Sequence, residues 1–386
     1  MSGYVFIGNS TKPTKEKLND RSNVKLDNVA IPCLKNALNM GFYVIVGINR
    51  NRPEELKSDE LPVEFYDSHT YRSITNLNDN YIAYKNLCKV IEENDIEVIH
   101  CNTPVGGFIG RLVGKKYHIK KVIYTAHGFH FFKGAPLFNR TVLKWAEQIM
   151  AHWTDAIITM NQEDYDSAQK FKLKKGGKIY KVHGVGITLS DFQNTGNRKK
   201  KRKELNLNAN DIALISAGDL VARKNYTVAI EAIAQLNMEN VHYFICGRGP
   251  ELDNLKDLSI SLGVENQIHF LGFRTDIKEL LYASDIFLFS TLQEGLPRSM
   301  MEAMACGLPC IASNIRGNND LITQYENGIL CNSNNSNEFA QAINTLVHNS
   351  KLREKMSRQN LLLIRDYDVS RVEEEIKEIY SEVIGE

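Results

Sequence analysis

Apolar runs of four to seven residues alternate along this chain with longer stretches whose apolar positions recur at helical spacing. Repeated strand-then-helix units of this kind predict parallel α/β sheets. In the first half the expected strands are Tyr4–Ile7, Tyr43–Ile48, Val98–Cys101, Lys121–Thr125, Ala156–Thr159 and Ile179–Val182. In the second they are Ile212–Ser216, Val241–Cys246, Ile268–Leu271, Ile286–Phe289 and Cys310–Ser313. So many strands over 386 residues fit two doubly wound sheets better than one, in line with roughly 150 residues per domain. The break is expected at His183-Gly184-Val185-Gly186-Ile187, where glycines interrupt the pattern before a polar segment, Ser190 to Asn197. Helical patterns close the chain at Glu338–Val347, Leu352–Arg365 and Val369–Ile384. The last carries enough apolar positions to lie across a neighbouring domain.

Composition narrows the class. Hydrophobic residues make up 43% and charged residues 24%, as in an ordinary globular protein. No apolar run approaches the ~18 residues of a membrane span, and Met1-Ser2-Gly3-Tyr4 carries no basic-then-apolar leader. The expectation is a cytoplasmic protein, neither exported nor integral. The seven cysteines are scattered, and Cys306 and Cys310, the one close pair, have no histidine beside them; core thiols in a reducing compartment are expected. The net charge of +1 hides an asymmetry. Residues 1–190 hold 26 Lys+Arg against 19 Asp+Glu (net +7), which leaves 21 against 27 (net −6) for 191–386. A basic first half suits an anionic partner such as a phospholipid face or a lipid diphosphate, although a chance imbalance of surface charge reads the same way. The basic run Arg198 to Lys203 lacks interleaved aromatics and reads as a solvated first turn of a helix, not as a nucleic-acid patch.

Candidate chemistry concentrates at strand-to-helix junctions. After Ile286–Phe289 comes Ser290-Thr291-Leu292-Gln293-Glu294-Gly295-Leu296-Pro297-Arg298-Ser299, with Pro297 suited to the first position of a helix. Glu294 would sit in the loop at the strand's C-terminal end. The free amides of Arg298 and Ser299 would form a seat for phosphate at the helix start. Glu302 stands in a helix that Met300, Met301, Ala303, Met304 and Ala305 make apolar nearly all round. A buried carboxylate there needs partners, which two ribose hydroxyls, a backbone or an arginine could supply. Arg223 and Lys224 precede the amphipathic stretch Tyr226–Leu236, where they could neutralise a diphosphate or be plain surface. Cys246-Gly247-Arg248-Gly249 forms a third glycine loop that lacks the dinucleotide fingerprint. His127 directly follows Lys121–Thr125, at a ligand-facing edge; His130, among aromatics, reads as structural. No metal-binding acidic or histidine cluster accompanies them.

Together these segments resemble the retaining glycosyltransferases of family 4. Glu294 and Glu302 reproduce the family's E-x7-E spacing. Ile99-His100-Cys101-Asn102-Thr103-Pro104-Val105-Gly106-Gly107 and Tyr124-Thr125-Ala126-His127-Gly128-Phe129-His130-Phe131 resemble the branch that builds capsular and extracellular polysaccharides. The resemblance implies the GT-B fold: two doubly wound Rossmann-like domains facing a central cleft, with a C-terminal helix. Residues 1–187 would be the acceptor domain, 188–366 the nucleotide-sugar donor domain, and 367–386 a helix returning to the first domain. It implies catalytic roles for His127, Glu294, Lys224 and Arg223. Glu302 would bind the ribose; Gly295, Leu296, Arg298 and Ser299 would line the diphosphate; Gly247, Phe273 and Arg274 would frame the base; and Asn161 would face the sugar. No cofactor or metal is implied. The expected partners are a nucleotide sugar, UDP-linked by resemblance, a polyprenyl-diphosphate-linked saccharide, and a transient contact with the inner membrane surface. Asp219 departs from the family, which often places an arginine there, and the glycine-rich N-terminal loop is reduced to Gly8 before the polar stretch Asn9–Asn28. A GT-B nucleotide-sugar epimerase and a binding protein without turnover remain as alternatives.

Overall fold

The computed structural model describes residues 1–8, 10–192 and 196–385. Asn9 of the early polar stretch and Gln193–Thr195 of the polar segment after the break lie outside the described residues. The chain divides into two units, the first made of Met1–Gly186 and Ser370–Glu386, the second of Ile187–Val369. The second unit therefore starts one residue earlier and runs three residues further than the sequence division. The reason is local: Ile187 pairs with Asp368 in a short bridge, with Ile187 donating its amide to Tyr367 and its carbonyl accepting from Val369, at 2.9 and 3.0 Å.

The first unit is built on seven parallel strands: β1 (Gly3–Ile7), β2 (Tyr43–Ile48), β3 (Glu64–Asp67), β4 (Ile96–Asn102), β5 (Lys121–Ala126), β6 (Ala156–Thr159) and β7 (Lys178–Lys181). Their order is β3-β2-β1-β4-β5-β6-β7. The second unit holds six, β8 (Ile212–Ala217), β9 (Val241–Cys246), β10 (Ile268–Gly272), β11 (Ile286–Phe289), β12 (Cys310–Ser313) and β13 (Gly328–Cys331), in the order β10-β9-β8-β11-β12-β13. Every strand pair is parallel. Helices on both faces bury such strands completely, which is why they read as continuous apolar runs. Val5, Ile99 and Ile157 in the first unit and Ile215, Ile245 and Phe287 in the second are inaccessible to solvent. In each sheet the strand order reverses once, between β1 and β4 and between β8 and β11. Open α/β sheets offer their ligand crevices at that reversal, beyond the strands' C-terminal ends.

Two strands escape the sequence pattern. β3 has only Phe65 and Tyr66 between two acids, and β13 opens on Gly328; both are outermost strands, where short length and charge are common. The basic run is borne out in part. It forms the helix Arg198–Glu204, with Lys199, Lys200 and Lys203 exposed as expected, while its other three basic residues are docked. Arg198 and Arg202 both pair with Asp285 and donate to carbonyls of the 282–284 turn, and Lys201 pairs with Asp276 at 2.9 Å.

The helix Val369–Val383 presents Val372, Ile376, Ile379, Tyr380 and Val383 as one buried stripe. Within the first unit, the Tyr380 hydroxyl hydrogen-bonds His100 Nδ1 and the Tyr4 hydroxyl, each at 2.6 Å, while His100 Nε2 meets Thr125 Oγ1 at 2.7 Å. Burial holds the His100 imidazole neutral, with its pKa pushed down to about 3. A polar network this deep is stable only because each member is satisfied.

Candidate active site

In the second unit two junctions meet at the strand-order reversal. After β8 the chain passes Gly218 and Asp219, makes a 3-10 turn at Ala222–Lys224, and places Asn225 in the left-handed region (φ 53°) before the helix Tyr226–Leu236. After β11 come the buried Ser290 and Thr291. These two loops are stitched together: Leu292 donates its amide to Arg223 at 2.8 Å, and Ser290 Oγ donates to the Asn225 carbonyl at 2.8 Å. The stitching brings Lys224 Nζ to 2.7 Å and Arg223 to 3.1 Å from Glu294 Oε1, and Thr291 Oγ1 donates to that oxygen at 2.9 Å. All three converge on Oε1, so Oε2 has no hydrogen-bond partner among the described residues. The ammonium of Lys224 also lies 4.7 Å from the centre of the Phe289 ring, a favourable cation–π placement. The result is a half-buried carboxylate with one oxygen fixed and one available to hydroxyls, beside two cations.

A second layer of backbone holds this loop. Arg316 Nε donates to the Glu294 carbonyl at 3.0 Å, and Gly317 (φ 81°) comes so close that a Cβ there would stand 2.3 Å from the Gly295 oxygen. Only glycine fits. The helix Arg298–Ala305 begins after Pro297, which caps it instead of occupying its first turn. Met300 and Met301 both donate to the Pro297 carbonyl, so the amides of Arg298 and Ser299 lie ahead of the first intrahelical bond. Glu302 sits one turn on, half-buried, with Arg298 Nε 3.0 Å from its Oε1. The fully buried carboxylate expected from the apolar helix pattern is thus corrected: Arg298, Ser299 and Glu302 form the helix's accessible face, and an arginine is the protein partner. Gly247 lies against Gly218, where a Cβ would fall 1.9 Å from the carbonyl oxygen. Phe273 is 66% exposed, with the Arg248 guanidinium 5.7 Å from its ring centre.

In the first unit the reversal between β1 and β4 opens into a pocket of about 1000 Å³. His127 lines it at the end of β5, with Nε2 3.0 Å from Asn102 Oδ1 at the end of β4. Burial lowers the His127 pKa to about 4, with Asp27 opposing and Arg72 adding to the fall; the ring is therefore neutral, and Nε2–H donates to Asn102. Its Nδ1 has no partner among the described residues, and Asn102 Nδ2 is buried without one. The next residue, Thr103, has φ 65°, a costly conformation for a β-branched side chain and one that clusters at functional sites. Among the described residues no group of three or more His, Cys, Asp or Glu side chains is placed to hold a metal ion.

Comparison with known proteins places this arrangement. The Glycosyl transferases group 1 family matches residues 197–361, and the Glycosyl transferase 4-like family matches residues 26–162. EpsD of Bacillus subtilis (strain 168), which carries a provisional glycosyltransferase name, is 33% identical over 308 residues, 78% of this chain and 81% of that protein. The chain belongs to the group 1 glycosyltransferases. Another relative of this glycosyltransferase is the UDP-Gal:alpha-D-GlcNAc-diphosphoundecaprenol alpha-1,3-galactosyltransferase of Escherichia coli, 27% identical over 77% of this chain and 78% of that one. Among solved structures, Anabaena HepE in complex with UDP and glucose shares the GT-B fold, with a TM-score of 0.76 at 20% identity, covering 98% of this chain and 99% of that chain.

Of the glycosyltransferase residues singled out from sequence, the structure gathers Glu294, Gly295, Leu296, Arg298, Ser299, Lys224 and Arg223 at one reversal and leaves His127 at the other. Two take different tasks. Asn161 is buried and caps the helix Gln162–Ala168, accepting from the Asp164 amide at 2.9 Å and donating to the Asp164 carboxylate at 2.8 Å, so it does not present its amide to a sugar. Arg274 is clamped by Asp276 through bonds of 2.7 and 2.6 Å, and that arginine is the main cause of the Asp276 carboxyl falling well below the usual carboxylate range. Asp219 is exposed. The residues missed from sequence are Asn102 and Thr103, whose signal was their place at the end of a central strand.

Proposed function

We propose that this glycosyltransferase moves a hexose or N-acetylhexosamine from a UDP-sugar to a saccharide carried on a polyprenyl diphosphate, with retention and without a metal ion. The observation that carries the reading is the convergence of Lys224 and Arg223 on Glu294 beside the open amides of Arg298 and Ser299. Phosphate oxygens would take the amides and cations, Glu294 Oε2 would accept from hydroxyls of the transferred sugar, and Glu302 would accept from the ribose. The acceptor hydroxyl would form its bond to the anomeric carbon on the face from which the diphosphate leaves. As the carbon–oxygen bond to phosphate breaks, the leaving oxygen takes the hydroxyl proton. Lys224 and Arg223 supply positive charge where the leaving group becomes more negative, the role a metal ion plays elsewhere. His127, neutral, would accept a hydrogen bond from a sugar hydroxyl at Nδ1. The UDP and glucose bound by HepE and the diphosphoundecaprenol acceptor named for the Escherichia coli relative support the choice of donor and acceptor class.

Calorimetric titration with UDP-glucose, UDP-galactose, UDP-N-acetylglucosamine and GDP-mannose tests the donor, and the UDP-sugars should bind in preference. The anomeric configuration of the product, read by NMR, tests retention; an inverted linkage overturns it. Turnover abolished by a chelator and restored by a divalent cation would overturn metal independence.

A further inference from the structure

The segment between β5 and the helix Lys144–Ala151 exposes a run of large apolar side chains. Leu137, Phe138, Val142 and Trp145 are 75%, 61%, 45% and 64% exposed, all within nine residues. Single exposed apolar residues are ordinary, but a cluster of large ones marks an interaction site. Phe138 caps a π-helical turn (Asn139–Leu143) that carries Val142, and Trp145 opens the helix Lys144–Ala151 that follows. The segment is anchored from beneath. Ala135 is buried, Asn139 donates its side-chain amide to the His130 carbonyl at 3.1 Å, the Lys133 amide is held by Glu163 at 2.7 Å, and Glu147 is paired with the fully buried Arg111 at 2.7 Å. The apolar side chains are therefore held out by a fixed scaffold.

Charge says what covers them. From Lys133 to Trp145 the sequence holds Lys133, Arg140 and Lys144 and no acidic residue. A two-fold contact with a second copy would press these cations against their own counterparts. A bilayer with anionic headgroups answers both properties at once, taking apolar and aromatic side chains at the headgroup boundary and basic ones at its phosphates. We propose that the face carrying Leu137, Phe138, Val142 and Trp145 docks this glycosyltransferase on an anionic lipid bilayer. The proposal deepens the reading above, in which the acceptor is carried on a lipid, and locates the contact on the unit that holds His127.

The test uses vesicles that contain neither saccharide nor donor, so its failure leaves the transfer reading standing, and a failure of transfer leaves docking standing. Trp145 and Trp153 are the two tryptophans, and Trp153→Phe makes Trp145 the sole reporter on an otherwise intact patch. On phosphatidylcholine–phosphatidylglycerol vesicles its emission should shift to the blue and lose access to an aqueous quencher; on phosphatidylcholine alone it should change little. Replacing Lys133, Arg140 and Lys144 by Gln should weaken partitioning about a hundredfold, at about fivefold per cation near the surface, and Leu137→Ser with Phe138→Ser should abolish it while leaving UDP binding unchanged. Unchanged Trp145 emission on the anionic vesicles overturns the proposal, as does equal vesicle binding by the Leu137→Ser, Phe138→Ser variant. A change in sedimentation coefficient without lipid, confined to that variant and with vesicle binding intact, assigns the patch to a second copy and overturns it too.

Discussion

A diphosphate entering beside the helix Arg298–Ala305 has to share Lys224 with the Glu294 carboxylate, which lies 2.7 Å from its Nζ. Lys224→Ala is expected to lower kcat/KM roughly 30- to 1000-fold, the range for losing about 2–4 kcal/mol of charge stabilisation at a leaving group. Glu294→Gln keeps an oxygen for the Thr291 hydroxyl but removes the charge, so steady-state kinetics should show kcat falling more than KM rises. At the other reversal, Asn102→Asp sets a carboxylate against His127 Nε2 and should raise that imidazole's pKa from about 4 by roughly 1–3 units. The acid limb of the kcat/KM profile should move up with it. Glu294 and the basic pair were legible because each stands at a strand-to-helix junction, and Glu302 because it is a lone carboxylate in an apolar helix, eight positions after Glu294. Their meeting was not, since Lys224 and Glu294 are 70 residues apart and only the order of β8 and β11 brings them together. Arg274 shows the opposite case: its partner Asp276 stands two residues away, a local ion pair that neither the periodicity nor the resemblance suggested.

The elements carrying these residues tolerate little added volume. Gly247→Ala would drive a methyl group into the Gly218 carbonyl. The two glycine loops must then separate, and UDP-sugar binding should weaken by about tenfold or more in calorimetry, a displacement costing at least ~1.4 kcal/mol. The closing helix is fixed as firmly. Tyr380→Phe removes the hydroxyl that His100 and Tyr4 share but leaves their own hydrogen bond of 3.0 Å in place, so urea unfolding should report the loss of a buried hydrogen bond, about 1 kcal/mol. Strands with both faces covered were legible as apolar runs, and β9, β11, β12, β2 and β6 have the bounds the pattern gives. β3 and β13 were not, because an edge strand of four residues borrows its conformation from the neighbour it pairs with, and nothing local in Glu64–Asp67 demands extension.

Across the whole molecule, His100 and His127 make stability depend on acidity. Burial places both below the ordinary histidine value, at about 3 and about 4, so the unfolded chain binds protons that the folded one refuses. Stability is complete above pH 6.5 and drains as the pH falls towards 4. Between pH 6.5 and 5 each histidine should cost about 2 kcal/mol. The urea midpoint measured across that interval should drop, and His127→Gln should flatten the slope.

The division of the chain has its own consequence. Residues 187–369 lie between two pieces of the first unit, so during translation Tyr380 leaves the ribosome after every strand of the second sheet has been made. Tyr4 and His100, synthesised first, wait longest for their partner, and the half begun earliest is finished last. A nascent chain arrested after Val369 and treated with protease should yield an intact fragment from the later half while the earlier half is cut. Extending it through Val383 should bring protection to both.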